Sequence, residues 1–261
     1  MDSTPPTIEF CGDEELGYER SRTRFVPGAG LALDDAYRLA HLPLVAPDHP
    51  RVISSRPDAP YAMGRHPRVY SLAMPVSSSA LFRSAAFQEL NQALSASPFS
   101  RKIAWCVLDQ RKDRLHATVC GSLAVGQKTP PVIGEYERRE LKSLGPIEVE
   151  LRGLFSGNVN IGRLYLRVYP ERRSGANVFK KVQRALGRRE TDLYLVGIYN
   201  LMDDLDATEA AALSDLVDRW WDRTLLRFEV DALWLLGAMD DLVLDGEIAE
   251  SVPLSRRFGG G

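Results

Sequence analysis

The sequence predicts an α+β fold of two similar lobes facing each other, with antiparallel sheets and an N-terminal extension. Three observations carry that reading. Strand-like and helix-like runs follow one another in nearly the same order twice, first from Arg68 and again from Ile147. Short polar turns between neighbouring strand runs read as hairpins. The first 67 residues differ from the rest, with Pro5, Pro6, Pro27, Pro43, Pro47, Pro50, Pro57, Pro60 and Pro67. Proline fixes φ and removes a donor, so residues 1–67 are expected to form an extension or cap that wraps the core. The remainder divides into a first lobe, 68–145, and a second lobe, 146–261.

Each element has a local reason. Val69-Tyr70-Ser71-Leu72-Ala73-Met74 alternates like a strand. Ser77 and Ser78 cap a helix to about Ser95, with Leu81, Phe82, Ala85, Ala86, Leu90 and Leu94 at helical spacing. Ile103–Leu108 and Arg114–Val119 read as strands around the polar turn Asp109–Asp113. Val132–Leu144 reads as a helix stopped before Gly145-Pro146. In the second set, Ile147–Phe155 and Ile161–Val168 are strands joined at Ser156-Gly157-Asn158. Asn177–Leu186 is a helix stopped by Gly187, and Leu193–Leu201 is a β-prone run. Asp206 caps a helix that turns Leu213, Leu216, Val217, Trp220 and Trp221 inward. Phe228–Leu236 and Leu242–Ile248 close as strands around Met239-Asp240-Asp241.

Composition narrows the function classes. Lys+Arg 33 against Asp+Glu 35 gives a net charge of −2, which by itself favours neither nucleic acid nor an acidic membrane surface. Cys11, Cys106 and Cys120 are too scattered for a disulfide framework or a zinc cluster, so a cytoplasmic location is expected. No run approaches the length of a membrane span, and Met1–Glu19 lacks the features of a secretion signal.

The charges are unevenly placed. Arg163, Arg167, Arg172, Arg173, Lys180, Lys181, Arg184, Arg188 and Arg189 are offset within their own stretch by Glu171 alone. A local excess of this kind can attract a phosphate-bearing ligand in a neutral protein. Spacing puts Arg163, Tyr165 and Arg167 on one strand face, which makes them candidate substrate-binding residues.

Of the four histidines, His41, His49 and His66 lie in the proline-rich segment, and His116 lies in a strand. Alternation places His116 and Thr118 on one face, with Arg114 and Cys120 in the same row, while Leu115, Ala117 and Val119 face the core. An imidazole can move a proton near neutral pH, and a hydroxyl can fix a phosphate oxygen. Cys120 reads as a small packed residue, Trp220, Trp221 and Trp234 as core, and Gly153, Gly157 and Gly162 form no nucleotide-binding fingerprint. The terminal Gly259-Gly260-Gly261 reads as a frayed end.

The run Leu115-His116-Ala117-Thr118-Val119 resembles the His-x-Thr-hydrophobic signature of the two-histidine (2H) phosphoesterase superfamily, which includes the 2′-5′ RNA ligase-like proteins. The element order from Arg68 to Leu254, including Gly153-Leu154-Phe155, is similar as well. The resemblance implies a two-lobed fold around a central cleft, with one His-x-Thr/Ser motif from each lobe. One histidine would act as base and the other as acid, and the threonines would hold the phosphate, with neither metal nor cofactor. It implies His116 as acid/base, Thr118 as phosphate clamp, and a nucleotide or short RNA with a cyclic or 2′-5′ phosphate as ligand.

The second motif departs from that pattern. Its strand, Leu193–Met202, contains no histidine, and the motif aligns either to Gly197-Ile198-Tyr199 or to Asn200-Leu201-Met202. Three repairs fit. Tyr199 could donate the proton, an arm histidine such as His66 could fold over the cleft, or the leaving group could be acidic enough to need no acid. Asn200 and Arg114 join the candidate binding residues. Two functions follow: a metal-independent phosphoesterase, or a degenerate relative that binds nucleotide or RNA ends as a sensor or interaction module.

Overall fold

Ten strands pair into a single antiparallel sheet, and the order in which they pair decides where a site can form. The computed structural model describes residues 8–18, 25–156 and 160–254. Expectations for Gly157-Asn158, Gly259–Gly261 and the first seven residues lie outside the described residues. In chain order the elements are α1 (Asp35–Ala40), α2 (Leu42–Val45), β1 (Ser55–Arg56), β2 (Ala59–Ala62), β3 (Arg65–Pro75), α3 (Ser78–Arg83) and α4 (Ala85–Ser95). Then come α5 (Trp105–Arg111), β4 (His116–Val125), α6 (Glu135–Ser143), β5 (Ile147–Ser156), β6 (Arg163–Pro170), and the short β7 (Arg172–Arg173) and β8 (Ala176–Asn177). The chain ends through α7 (Val178–Ala185), β9 (Leu195–Asn200), α8 (Ala207–Trp220), β10 (Thr224–Val230), β11 (Ala232–Asp240) and β12 (Gly246–Pro253). The fold is mixed α+β with antiparallel pairing, as composition and pattern predicted.

The sheet has two halves. One runs β12-β11-β3-β4 and the other β9-β6-β5-β10. Among the described residues they join through the register pair Ala117↔Val196, where β4 meets β9. This corrects the expected boundary of a second unit at 146–261. After Val230 the chain leaves β5 and crosses to β3, so its last two strands complete the half that contains His116. Three strands, β10, β11 and β12, therefore replace the two expected between Phe228 and Ile248.

Local chemistry explains most boundaries. Ser77 Oγ accepts from Ala80 N at 3.2 Å and Ser84 Oγ from Phe87 N at 3.4 Å, so one expected helix becomes two, each with its own serine cap. Asp206 and Glu209 form a reciprocal capping box on α8, which buries Leu213, Leu216, Val217 and Trp220 as its spacing requires. The expected strand Ile103–Leu108 is helix α5 instead. Its apolar run has no alternation, and Val107, Leu108 and Arg111 fall on one helical face that is buried. The hairpin expected around Asp109–Asp113 is therefore absent.

The described part of the proline-rich segment belongs to the core. Leu16, Tyr18, Leu33, Tyr37 and Leu42 are buried in the main cluster. Cys11 N donates to Pro170 O at 3.0 Å, and Leu31 and Leu205 exchange backbone hydrogen bonds at 2.9 Å. Tyr37 Oη donates to Leu201 O at 2.7 Å. Gly162 permits this approach: at φ +114° it has no side chain, and a Cβ there would stand 2.9 Å from the Tyr37 ring.

Candidate functional site

His116 opens β4, where the chain leaves a tight turn and begins to alternate. Its ring is half-buried, and Nδ1 donates to Arg114 O at 2.7 Å. That bond fixes the proton on Nδ1 and leaves the Nε2 lone pair free to accept one. Burial, reinforced by the charges of Arg111 and Arg163, lowers the pKa to about 4, so the ring is neutral at pH 7. Thr118, two residues further on, is exposed and shares the pleat. Both line a cavity of about 330 Å³, floored by β3, β4 and β11 and rimmed by Tyr61, His66 and the loop after β11.

His66 is the second imidazole of this cavity. Its Nε2 lies 3.4 Å from Asp241 Oδ1, and Nδ1 lies 2.8 Å from Pro67 O. Both neighbours are acceptors, and the hydrogen bond to Asp241 raises the His66 pKa against the effect of burial. Burial alone would raise the Asp241 pKa, but hydrogen bonds from His66 and from Tyr61 Oη, the latter at 2.9 Å, bring it to about 2. The cavity thus holds one imidazole biased toward the neutral form and another biased toward the cation. Environments that push two titratable groups apart in this way suit a base and an acid.

The second-motif strand looks elsewhere. Tyr199 is buried, donates from Oη to Asn91 Oδ1 at 2.6 Å, and meets the Trp105 ring edge-on at 4.8 Å. It faces α4 and α5, and it does not line the cavity. Gly197 is covered by Arg163: a Cβ there would stand 2.6 Å from Arg163 Cζ. Arg163 Nη1 donates to Asp241 O at 3.0 Å and lies 3.4 Å from His41 Nε2, while its guanidinium sits 5.3 Å from the Tyr165 ring. Asn200 is buried beside Tyr37, and Tyr165 is buried with Oη accepting from Asn160 Nδ2 at 3.0 Å.

Arg167 lies on the same side of β6 as Arg163, as spacing predicted, but it is sealed. It ion-pairs with Asp13 at 3.2 Å, contacts Tyr169 Oη and Trp221 O, and lies 3.7 Å over the Trp221 ring. That bonding anchors the N-terminal segment and removes Arg167 from the cavity wall. Arg114 precedes the strand, so it does not share the row of His116. Its Nη1 donates to Gly246 O at 3.0 Å and holds the loop between β11 and β12. Cys120 is buried, and burial pushes its pKa up to about 12, so the thiol stays protonated.

Part of the basic run is paired with acids in three dimensions. Arg172 pairs with Glu9 at 2.8 Å, Lys180 with Asp192 at 2.6 Å and Arg184 with Glu190 at 3.4 Å, while Arg173 pairs with Glu171. Sequence reasoning missed Arg111, Asp240 and Asp241 entirely. The last two read only as a turn, and no spacing rule links Asp241 to His66. The connecting signal is the strand pairing Asp240↔Arg65, which only the fold supplies.

No group of three or more His, Cys, Asp or Glu among the described residues is placed to hold a metal ion. No helix among them is long and apolar enough to cross a membrane. No protein-family model matches the chain, and no curated protein matches it. Among solved structures, the crystal structure of TT0787 of Thermus thermophilus aligns with 73% of this chain and 99% of that chain, at TM-score 0.33 and 10% identity. A superposition that loose identifies neither a fold family nor an activity.

Proposed function

We propose that the chain is a metal-independent phosphoesterase of the two-histidine type, acting on a cyclic phosphate or a 2′-5′-type phosphodiester of a nucleotide or short RNA. In this reading the two halves of the sheet stand for the family's two lobes, but both imidazoles come from the half that holds β3 and β4. The observation that carries it is the placement of His66, His116 and Thr118 on one cavity of about 330 Å³, a volume suited to a small ligand. His66, at the start of β3 and not on an arm folded over the cleft, takes the place of the histidine missing from β9.

The chemistry balances with these groups alone. His116 Nε2 takes a proton from water as the water oxygen attacks phosphorus. Thr118 Oγ donates to a non-bridging oxygen. The bond from phosphorus to the leaving oxygen breaks, and His66 gives that oxygen the Nδ1 proton now held against Pro67 O. Asp241 keeps its hold on Nε2 and stabilises the cationic ring beforehand. Each proton transfer is worth ~10²–10⁴-fold in rate, so either histidine alone would leave a slow enzyme.

The test is hydrolysis of 2′,3′-cyclic AMP and of 2′-5′-linked diadenylate by wild type, His116→Ala and His66→Gln. Turnover that falls by about 10²-fold or more in both variants supports the assignment. Wild-type protein that is inert on such substrates, or a His116→Ala variant with unchanged rates, refutes it.

One observation favours a second reading. Arg163 fills the space above Gly197, so the β9 side offers a cation and no proton carrier. A protein of that kind would bind phosphorylated ends without turning them over. Saturable binding without product, weakened more by Arg163→Met than by His116→Asn, would select it.

A further inference from the structure

We propose that Arg111, together with Arg163, forms an internal subsite for a phosphoryl oxyanion behind His116. The subsite deepens the phosphoesterase reading by naming what holds the substrate's charge, yet its binding can be measured without turnover.

Arg111 ends α5 and is 1% exposed. None of Nε, Nη1 and Nη2 has a hydrogen-bond partner among the described residues. A guanidinium has five N–H donors and stays charged, so enclosing all of them unpaired is costly, and such a group calls for an explanation. The nearby carboxylates do not supply one. Asp240 is engaged by three backbone donors: Leu242 N at 2.9 Å, Leu244 N at 3.0 Å and Asp245 N at 2.7 Å. Asp241 is held by His66 and Tyr61.

Neither Arg111 nor Arg163 lines the cavity itself, and Arg111 is tied to it through the charged groups around it. The charges that bear on it are those of Arg163, Asp240 and Arg114, and its own charge acts on His116 and His41. Asp240 and His116 both line the cavity. Arg163 Nε and His41 Nδ1 are buried without a partner as well. Two cations with spare donors therefore stand near Asp240 and His116, which line the cavity, and neither carboxylate gives Arg111 a hydrogen bond. An oxyanion with two or three acceptor oxygens supplies what the guanidinium lacks, and a planar fork suits it better than an ammonium would.

The probe is inorganic phosphate, titrated calorimetrically at pH 7 against chloride of equal ionic strength, with adenosine 2′-monophosphate in parallel. Wild type is expected to bind phosphate, and Arg111→Met to bind it at least about tenfold more weakly, the worth of one charge-assisted contact. In phosphate-free buffer, Arg111→Met is expected to unfold at no lower a temperature than wild type, because it removes buried donors that have no hydrogen-bond partner. If the methionine variant fails to fold, Arg111→Lys decides, and weaker phosphate binding there supports the subsite. Tighter binding of the nucleotide than of phosphate assigns the site to an ester, and equal or weaker binding assigns it to the free ion. No phosphate binding by wild type, or equal affinity in the Arg111 variants, overturns the subsite. Loss of turnover with phosphate binding intact would instead count against the phosphoesterase reading alone.

Discussion

β4 and β9 meet at the middle of the sheet, one from each half, and they differ in what they leave open. β4 alternates between buried and exposed positions, so His116 and Thr118 reach the cavity. β9 is buried along almost its whole length, with Arg163 over Gly197 and Tyr37 over the adjacent turn. Two strands in similar surroundings therefore carry different duties. One keeps a polar row open to the cavity, and the other is a packing surface for the N-terminal segment. A strand can hold a site only while something keeps its outer face from being covered.

The largest expected effect tests the open strand. His116→Ala should lower phosphodiester hydrolysis by about 10²-fold or more while leaving the urea midpoint close to that of wild type. His66→Gln should lose rate and also the alkaline limb of the pH–rate profile, since its proton is the one given up. A variant that loses activity but keeps that limb would assign the limb to another group.

The covered strand is tested by Gly197→Ala. The added methyl would displace Arg163 from Asp241 O, and a cost of ~1–3 kcal/mol is expected from overpacking, read as a lower urea midpoint. An unchanged midpoint would mean that Arg163 has room to move and that β9 is not closed.

Acid titration sharpens the contrast further. His116 titrates at about 4 and His41 at about 3 in the folded chain, against 6.5 for an ordinary histidine. Their stabilising contribution is present above pH 6.5 and is lost as pH falls, because the unfolded chain takes up protons first. His66 has the opposite sign: its pKa is raised, so its contribution is full below 6.5 and is lost as pH rises through the folded value. His116→Gln should therefore make the fall in stability between pH 6.5 and 4 shallower, by at most ~1.4 kcal/mol per pH unit. An unchanged slope would place the neutral ring elsewhere.

The smallest effect belongs to the basic run. Lys180→Ala removes a solvent-exposed pair with Asp192 and should cost less than ~1 kcal/mol, with phosphate affinity unaltered. A large loss of phosphate binding would restore that run as a ligand surface.

Much of this was legible in the chain. Alternation gave the β3 strand, and Asp206, Ser77 and Asn177 marked helix starts that the structure shows with their capping bonds. His116 and Thr118 were found because alternation fixes which neighbours share a face. Helix α5 was not legible, since a short unbroken apolar run has no period to read. The crossing of β11 to β3 was hidden because consecutive strands usually pair and this pair does not stay with its neighbour. Tyr199 was misplaced for a related reason: a register shift between β6 and β9 at Leu164/Tyr165 accompanies its turn toward Asn91. His66 with Asp241, and Arg111 with Asp240, are long-range pairs that composition and spacing do not encode.

The most direct measurement is a titration of the histidine ring resonances by NMR with adenosine 2′-monophosphate. His66 and His116 should shift together with one dissociation constant, while His49, held by Asp203 away from the cavity, stays still. Shifts at His116 with none at His66, or at neither ring, would contradict a shared site built from the two imidazoles.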